Sequence, residues 1–145
     1  MDVGGRPARG VLAPTEAGFL TLFEALNPGH IEVGTHYKSP GRPIWVVCSE
    51  SHYSVMFCKD PAAAVPPPGT EAAIDGFDVC YYDELGRQDA PVTLTLRRQA
   101  DGGAAAAEMA AEAVADPNGR PPLEHVLRTR WPGAAVDWNG AEPIL

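Results

Sequence analysis

An α+β fold, a mainly antiparallel sheet with flanking helices, is what this sequence predicts. Two observations carry that expectation. Four short runs rich in β-branched and aromatic residues, Pro43–Cys48, His52–Cys58, Phe77–Tyr82 and Val92–Leu96, are bounded by polar or turn-forming stretches, the pattern of strands. Apolar residues at helical spacing recur near each end of the chain, over Glu16–Leu26 and Pro121–Trp131.

Each element has a local reason. Met1–Pro14 is rich in Gly, Pro and Arg and is expected to be disordered. Thr15 is placed to N-cap a helix over Glu16–Leu26, with Glu16 at its positive end and Phe19, Leu20, Leu22, Phe23 and Leu26 forming a broad apolar face. Gly18 weakens that helix by about 1 kcal/mol relative to Ala and leaves room for a neighbouring element to approach. Asn27-Pro28-Gly29 ends it. Ile31–Val33 reads as a short strand and Tyr37–Arg42 as a turn-rich loop.

Pro43–Cys48 is continuously apolar, hence a strand buried on both faces. After the polar break Ser49-Glu50-Ser51, a second strand puts Tyr53, Val55 and Phe57 on one face and His52, Ser54 and Met56 on the other. Lys59–Ile74, with its PPP run, reads as a polyproline-like spacer. Phe77–Tyr82 and Val92–Leu96 form a hairpin across the polar turn Asp83–Asp89. Gln99–Gly119 is a low-complexity insert whose Ala/Glu stretch favours local helix but offers few large side chains for docking. In Pro121–Trp131, Leu123, Val126, Leu127 and Trp131 share a helical face. The ending VDWNGAEPIL predicts a strand, a tight Asn-Gly turn and an apolar tail.

The bulk numbers narrow the function classes. With 145 residues the chain suffices for one domain, which at this size buries roughly 70% of its unfolded surface. A net charge of −8, with scattered basic residues, argues against a nucleic-acid partner. No run reaches the roughly 18 apolar residues of a membrane span, and the amino end lacks a signal-peptide core, so no membrane partner is expected. Cys48, Cys58 and Cys80 are odd in number and lack C-x-x-C spacing. They read as reduced thiols of a cytoplasmic or nuclear protein.

The chemistry centres on His52, an imidazole set into a strand, where the sheet fixes its position and its ordinary pKa suits a general base. The plain alternative is a histidine filling a strand end. Ser54, projecting to the same face about 6–7 Å along the strand, is a candidate orienting residue. Asp83, Asp137 and Asn139 are further candidates for a third member, each also in a turn where Asp and Asn are ordinary. Cys48 would lie about 13 Å from His52 in a continuous strand and reach it only across a tight turn. Cys80 lacks an activating helix N-terminus. No G-x-S-x-G elbow or Gly-rich phosphate loop is present, and His30, His36, His52 and His125 are too dispersed to predict a metal site. No cofactor is expected.

The segments EAGFLTLFEAL, HYKSPGRPIWVVCSESHYSVMF, CYYDEL and PPLEHVLRTRWPGAAVDWNGAEPIL resemble the carboxy-terminal part of the catalytic domain of MINDY deubiquitinases. The likeness is to the branch of the third and fourth mammalian paralogues, the fourth being the nearer. It covers residues 15–145 outside the inserts at 59–74 and 99–119, and it implies part of a papain-like cysteine-protease domain. The family trims ubiquitin from polyubiquitin chains, with a preference for the degradation-signal linkage, so ubiquitin is the implied partner. Its catalytic histidine lies in an S-H-F-S segment, matched by Ser51-His52-Tyr53-Ser54, which makes His52 the implied general base and acid. The family's nucleophilic cysteine and oxyanion-hole glutamine belong to a region that nothing in Met1–Pro14 resembles. The expectation is therefore a fragment that holds the catalytic histidine without its nucleophile and is inactive alone. The alternative is a non-catalytic pseudoenzyme or ubiquitin-binding module.

Overall fold

The computed structural model describes residues 2–3, 6–7, 9–60, 76–97 and 102–143. Most of the expected spacer Lys59–Ile74 and the start of the Gln99–Gly119 insert lie outside these. At the amino end, β1 (Asp2–Val3) pairs antiparallel with β2 (Arg6–Pro7). The main sheet has six strands in chain order, β3 (Gly18–Thr21), β4 (Ile44–Ser49), β5 (His52–Phe57), β6 (Gly76–Tyr82), β7 (Val92–Arg97) and β8 (Ala135–Asp137). Every neighbouring pair is antiparallel except β3 and β4, which run parallel with Gly18 opposite Trp45. The parallel step needs a crossover, supplied by α1 (Leu22–Leu26) and α2 (Thr35–Lys38).

The single helix expected over Glu16–Leu26 is divided. Gly18–Thr21 is strand, and the helix begins at Leu22, capped by Thr21, whose hydroxyl accepts from the Phe23 amide at 3.2 Å. Thr15 caps nothing and donates its hydroxyl to the Ala17 carbonyl at 2.7 Å. The apolar residues of this stretch fit either element, and the close approach at Gly18 decides between them. A Cβ there would sit 2.1 Å from the Tyr37 carbonyl oxygen and 2.5 Å from Trp45 Cδ1. Two further expectations change. The helical turn Thr35–Lys38 takes in the first two residues of the expected loop Tyr37–Arg42, and Ile31–Val33 is irregular, with the Val33 amide donating to Glu24 Oε2.

β4 alternates rather than being buried on both faces: Trp45 and Val47 are fully buried, whereas Ile44 and Val46 are 38% and 37% exposed. The sheet's inner face, including Leu20, Met56, Val79, Tyr81, Leu94 and Leu96, packs on α4 (Pro122–Arg130) through Leu123, Val126 and Leu127. Each such side chain contributes roughly 1.5–3 kcal/mol by burial. Trp131 follows α4 and meets Trp45 edge-on, ring centres 5.4 Å apart, and Phe77 at 5.1 Å. The Lys38 carbonyl accepts from Trp45 Nε1 at 2.9 Å and from Arg130 Nε at 2.8 Å, tying α2 to the sheet and to α4. α3 (Gly102–Ala115) lies against α1 and α4 and buries the small side chain of Ala113.

Candidate active site

A two-residue turn, Glu50–Ser51, folds β5 back on β4 so that His52 stands opposite Ser49. Glu50 takes the positive φ, 58°, that such hairpins require. His52 is thus the first residue of β5, and its side chain keeps about a quarter of its surface open (28%). β6 runs antiparallel to β5 and delivers Asp83 just beyond Tyr82, next to the start of β5. His52 Nε2 and Asp83 Oδ2 are 2.6 Å apart, and the Asp83 side chain is nearly buried.

Asp83 is held from two further directions. Its Oδ1 accepts from the Leu85 amide at 3.0 Å, capping the 3-10 turn Glu84–Gly86. Its own amide donates to the Gln88 side chain, which in turn donates to the Tyr81 and Ala90 carbonyls at 3.3 Å. A carboxylate in this setting accepts from Nε2–H, which assigns the lone pair of the neutral ring to Nδ1. That nitrogen is then the one equipped to take a proton.

The other candidates have different partners. Ser54 is buried, and its hydroxyl accepts from Tyr81 Oη at 2.9 Å. The bond to the imidazole comes from Asp83 and not from Ser54. Burial pushes the Tyr81 hydroxyl above its ordinary pKa, partly countered by its bond to Ser54. Asp137 accepts from the Asn139 amide at 2.8 Å, and Asn139 donates to the Thr93 carbonyl at 2.9 Å. Asp137 ends β8 and Asn139 lies in the turn after it, three strands from β5. Gln88 drew no notice in the sequence. Only its place five residues beyond Asp83, in a loop that folds back, gives it a role.

None of the three thiols faces His52. Cys48 pairs with Tyr53 across the β4–β5 ladder, one residue out of phase with Ser49 and His52, and so projects to the opposite face; its thiol donates to the Glu50 carbonyl. Cys80 stands opposite Phe57, on that same outer face. Cys58 lies in the core at the far end of β5, where burial, reinforced by Cys80, pushes its thiol up to about 12. Among the described residues, no group of three His, Cys, Asp or Glu side chains converges as a metal site would require, and no helix is long and apolar enough to cross a membrane.

A histidine–aspartate pair on one strand ladder is shared by many hydrolases, so chain similarity decides the family. The profile described as "Deubiquitinating enzyme MINDY-3/4, conserved domain" matches residues 2–140. The chain belongs to the MINDY-3/4 family. It is 43% identical over 144 residues to the "Probable ubiquitin carboxyl-terminal hydrolase MINDY-4" of Xenopus tropicalis. To the human protein of that name it is 42% identical over 137 residues. Each alignment covers 94% of this chain and 16% of the relative. The "Ubiquitin carboxyl-terminal hydrolase MINDY-3" of Mus musculus is 42% identical over 72 residues, covering 50% of this chain and 16% of the relative. The chain therefore spans about one sixth of the length of these relatives. No solved structure matches it. With MINDY-3/4 membership comes the papain-like cysteine-protease fold class, to which this chain contributes an α+β layer of mostly antiparallel sheet and helices.

Proposed function

We propose that His52 and Asp83 are the base half of a thiol deubiquitinase centre that cleaves the isopeptide bond at the ubiquitin carboxy terminus. The substrate is a polyubiquitin chain, of the degradation-signal linkage by family resemblance. The observation that carries this reading is the 2.6 Å bond between a buried carboxylate and a partly exposed imidazole. Nδ1 of His52 takes the thiol proton, and the thiolate attacks the isopeptide carbonyl. The imidazolium then returns the proton to the departing lysine amine, leaving a thioester. Water attacks the thioester with His52 again as base, which frees the ubiquitin carboxylate and restores the thiol. Asp83 fixes the tautomer and stabilises the imidazolium that forms twice in the cycle.

The nucleophile is proposed to come from outside these 145 residues. The outer-face positions of Cys48 and Cys80 and the core position of Cys58 support this. Three unpaired thiols suit a reducing compartment, the cytoplasm or nucleus. The same observations favour, as the second reading, a ubiquitin-binding module without catalysis.

Ubiquitin carrying a thiol-reactive carboxy-terminal group tests the placement directly. The purified chain is expected to form no adduct, and an adduct requiring His52 and one of its own cysteines would overturn it. In a polypeptide that joins this segment to the thiol-bearing part of the domain, His52→Ala is expected to abolish polyubiquitin cleavage. Undiminished cleavage there would leave the binding-module reading.

A further inference from the structure

Asp83 stands just outside the sheet that is to hold it against His52. The β5–β6 ladder ends at the Val55–Tyr82 pair, short of His52, and the β6–β7 ladder ends at Tyr81–Val92. Two bonds grip Asp83 locally. Its Oδ1 accepts from the Leu85 amide at 3.0 Å, and its carbonyl accepts from the Gly86 amide at 3.1 Å. Both close the turn Glu84–Gly86 on itself and would travel with Asp83 if it moved. Neither fixes where Asp83 lies relative to the strands.

Gln88 supplies that link. Arg87 takes a left-handed φ of 52°, which turns the chain back toward β6. Gln88 is then half-buried, in a connection whose other residues from Glu84 to Ala90 are exposed. Its Oε1 accepts from the Asp83 amide. Its Nε2 donates to the carbonyls of Tyr81, near the end of β6, and of Ala90, just before β7, both at 3.3 Å. A carboxamide carries one acceptor and two donors in a single plane, and only this orientation of it serves all three groups. The side chain thus does for Asp83 what a neighbouring strand does for residues within the sheet. A hydrogen bond of 2.6 Å between Asp83 and His52 needs such a fixed backbone, because a catalytic group loses its effect when displaced by about 1 Å.

We infer that Gln88 is a positioning residue of the candidate active site. It anchors the Asp83 backbone to the ends of β6 and β7, which keeps Oδ2 on Nε2 of His52 and leaves Nδ1 as the free base. The inference rests on the proposed catalytic pairing of His52 with Asp83.

Gln88→Met tests it, since methionine keeps the length of the side chain and makes none of the three bonds. In two-bond ¹H–¹⁵N spectra of the purified chain, this variant is expected to turn the single His52 tautomer into a mixture, as Asp83→Ala does. Gln88→Ala takes its place should Gln88→Met fail to fold. In a polypeptide that joins this segment to the thiol-bearing part of the domain, kcat is expected to fall about tenfold or more, with KM unchanged. A single tautomer kept in Gln88→Met, where Asp83→Ala gives a mixture, overturns the inference and leaves the His52–Asp83 pairing standing. A raised KM with kcat unchanged overturns it as well. A single tautomer kept in Asp83→Ala overturns the pairing, and the role of Gln88 falls with it.

Discussion

Asp83 divides its carboxylate between two neighbours, so its replacement has two separable effects. Asp83→Ala removes the cap on the Leu85 amide, which is expected to lower stability by about 1 kcal/mol in a denaturant melt. It also frees the His52 ring, so two-bond ¹H–¹⁵N correlations should change from one tautomer to a mixture. In a polypeptide that turns over ubiquitin chains, Asp83→Asn is expected to reduce the rate by about 10²–10⁴-fold. Ser54 separates differently. Ser54→Ala leaves the buried Tyr81 hydroxyl unpaired, a stability loss of about 1–3 kcal/mol, while the His52 tautomer stays as it is. A shifted tautomer in Ser54→Ala would return the orienting role to serine. One oxygen of Asp83 caps the turn, as the turn reading expects, and the other meets His52, the contact that the proposed catalytic pairing needs. Selecting it over Asp137 and Asn139 took the strand register, since all three are equally turn-like as local sequence.

At the scale of elements, the approach of β3 to the α2–β4 connection makes Gly18 the least replaceable residue of the first strand. Gly18→Ala is expected to destabilise by about 3 kcal/mol, because the nearest atom is backbone and cannot rotate away. A loss within a few tenths of a kcal/mol would show that the crossover adjusts. The same contact explains why strand and helix were confused over 16–26. The local pattern allows a helix, whereas the parallel pairing that wins depends on residues 27 positions later. Strands that have a hairpin partner were legible: β5, its face assignment and the β6–β7 hairpin stand where alternation and turn chemistry put them. The second helix was equally legible, its apolar spacing being that of a face pressed on a sheet. β4 was misjudged because a run of apolar residues does not say that one face stays open, as Ile44 and Val46 do.

For the molecule as a whole, two buried titrating groups limit stability from opposite sides. The Cys58 thiol is raised in the folded state from 9.0 to about 12. Below pH 9 it is neutral folded or unfolded and its contribution is intact. Between 9 and 12 only the unfolded chain ionises, so stability falls with pH, at most by about 1.4 kcal/mol per unit. Cys58→Val should flatten that alkaline limb in urea melts, and an unchanged limb would assign it to other groups. His125 is shifted the other way, lowered from 6.5 by burial and Arg128. Its contribution is present above pH 6.5 and is lost as pH falls through the lower folded value, because the unfolded chain then binds the proton first. His125→Leu should remove that acidic limb.

The strand order carries one more consequence. His52 starts β5 and Asp83 follows β6, which are consecutive in the chain and adjacent in the sheet, and their register is set by ladder pairing and not by the 58–75 connection between them. Lengthening that connection costs only closure entropy, about 0.6 kcal/mol for each doubling. The pair can therefore survive large changes in the length of the intervening segment. A long proline- and alanine-rich passage can lie between two residues that must meet at 2.6 Å without disturbing their meeting.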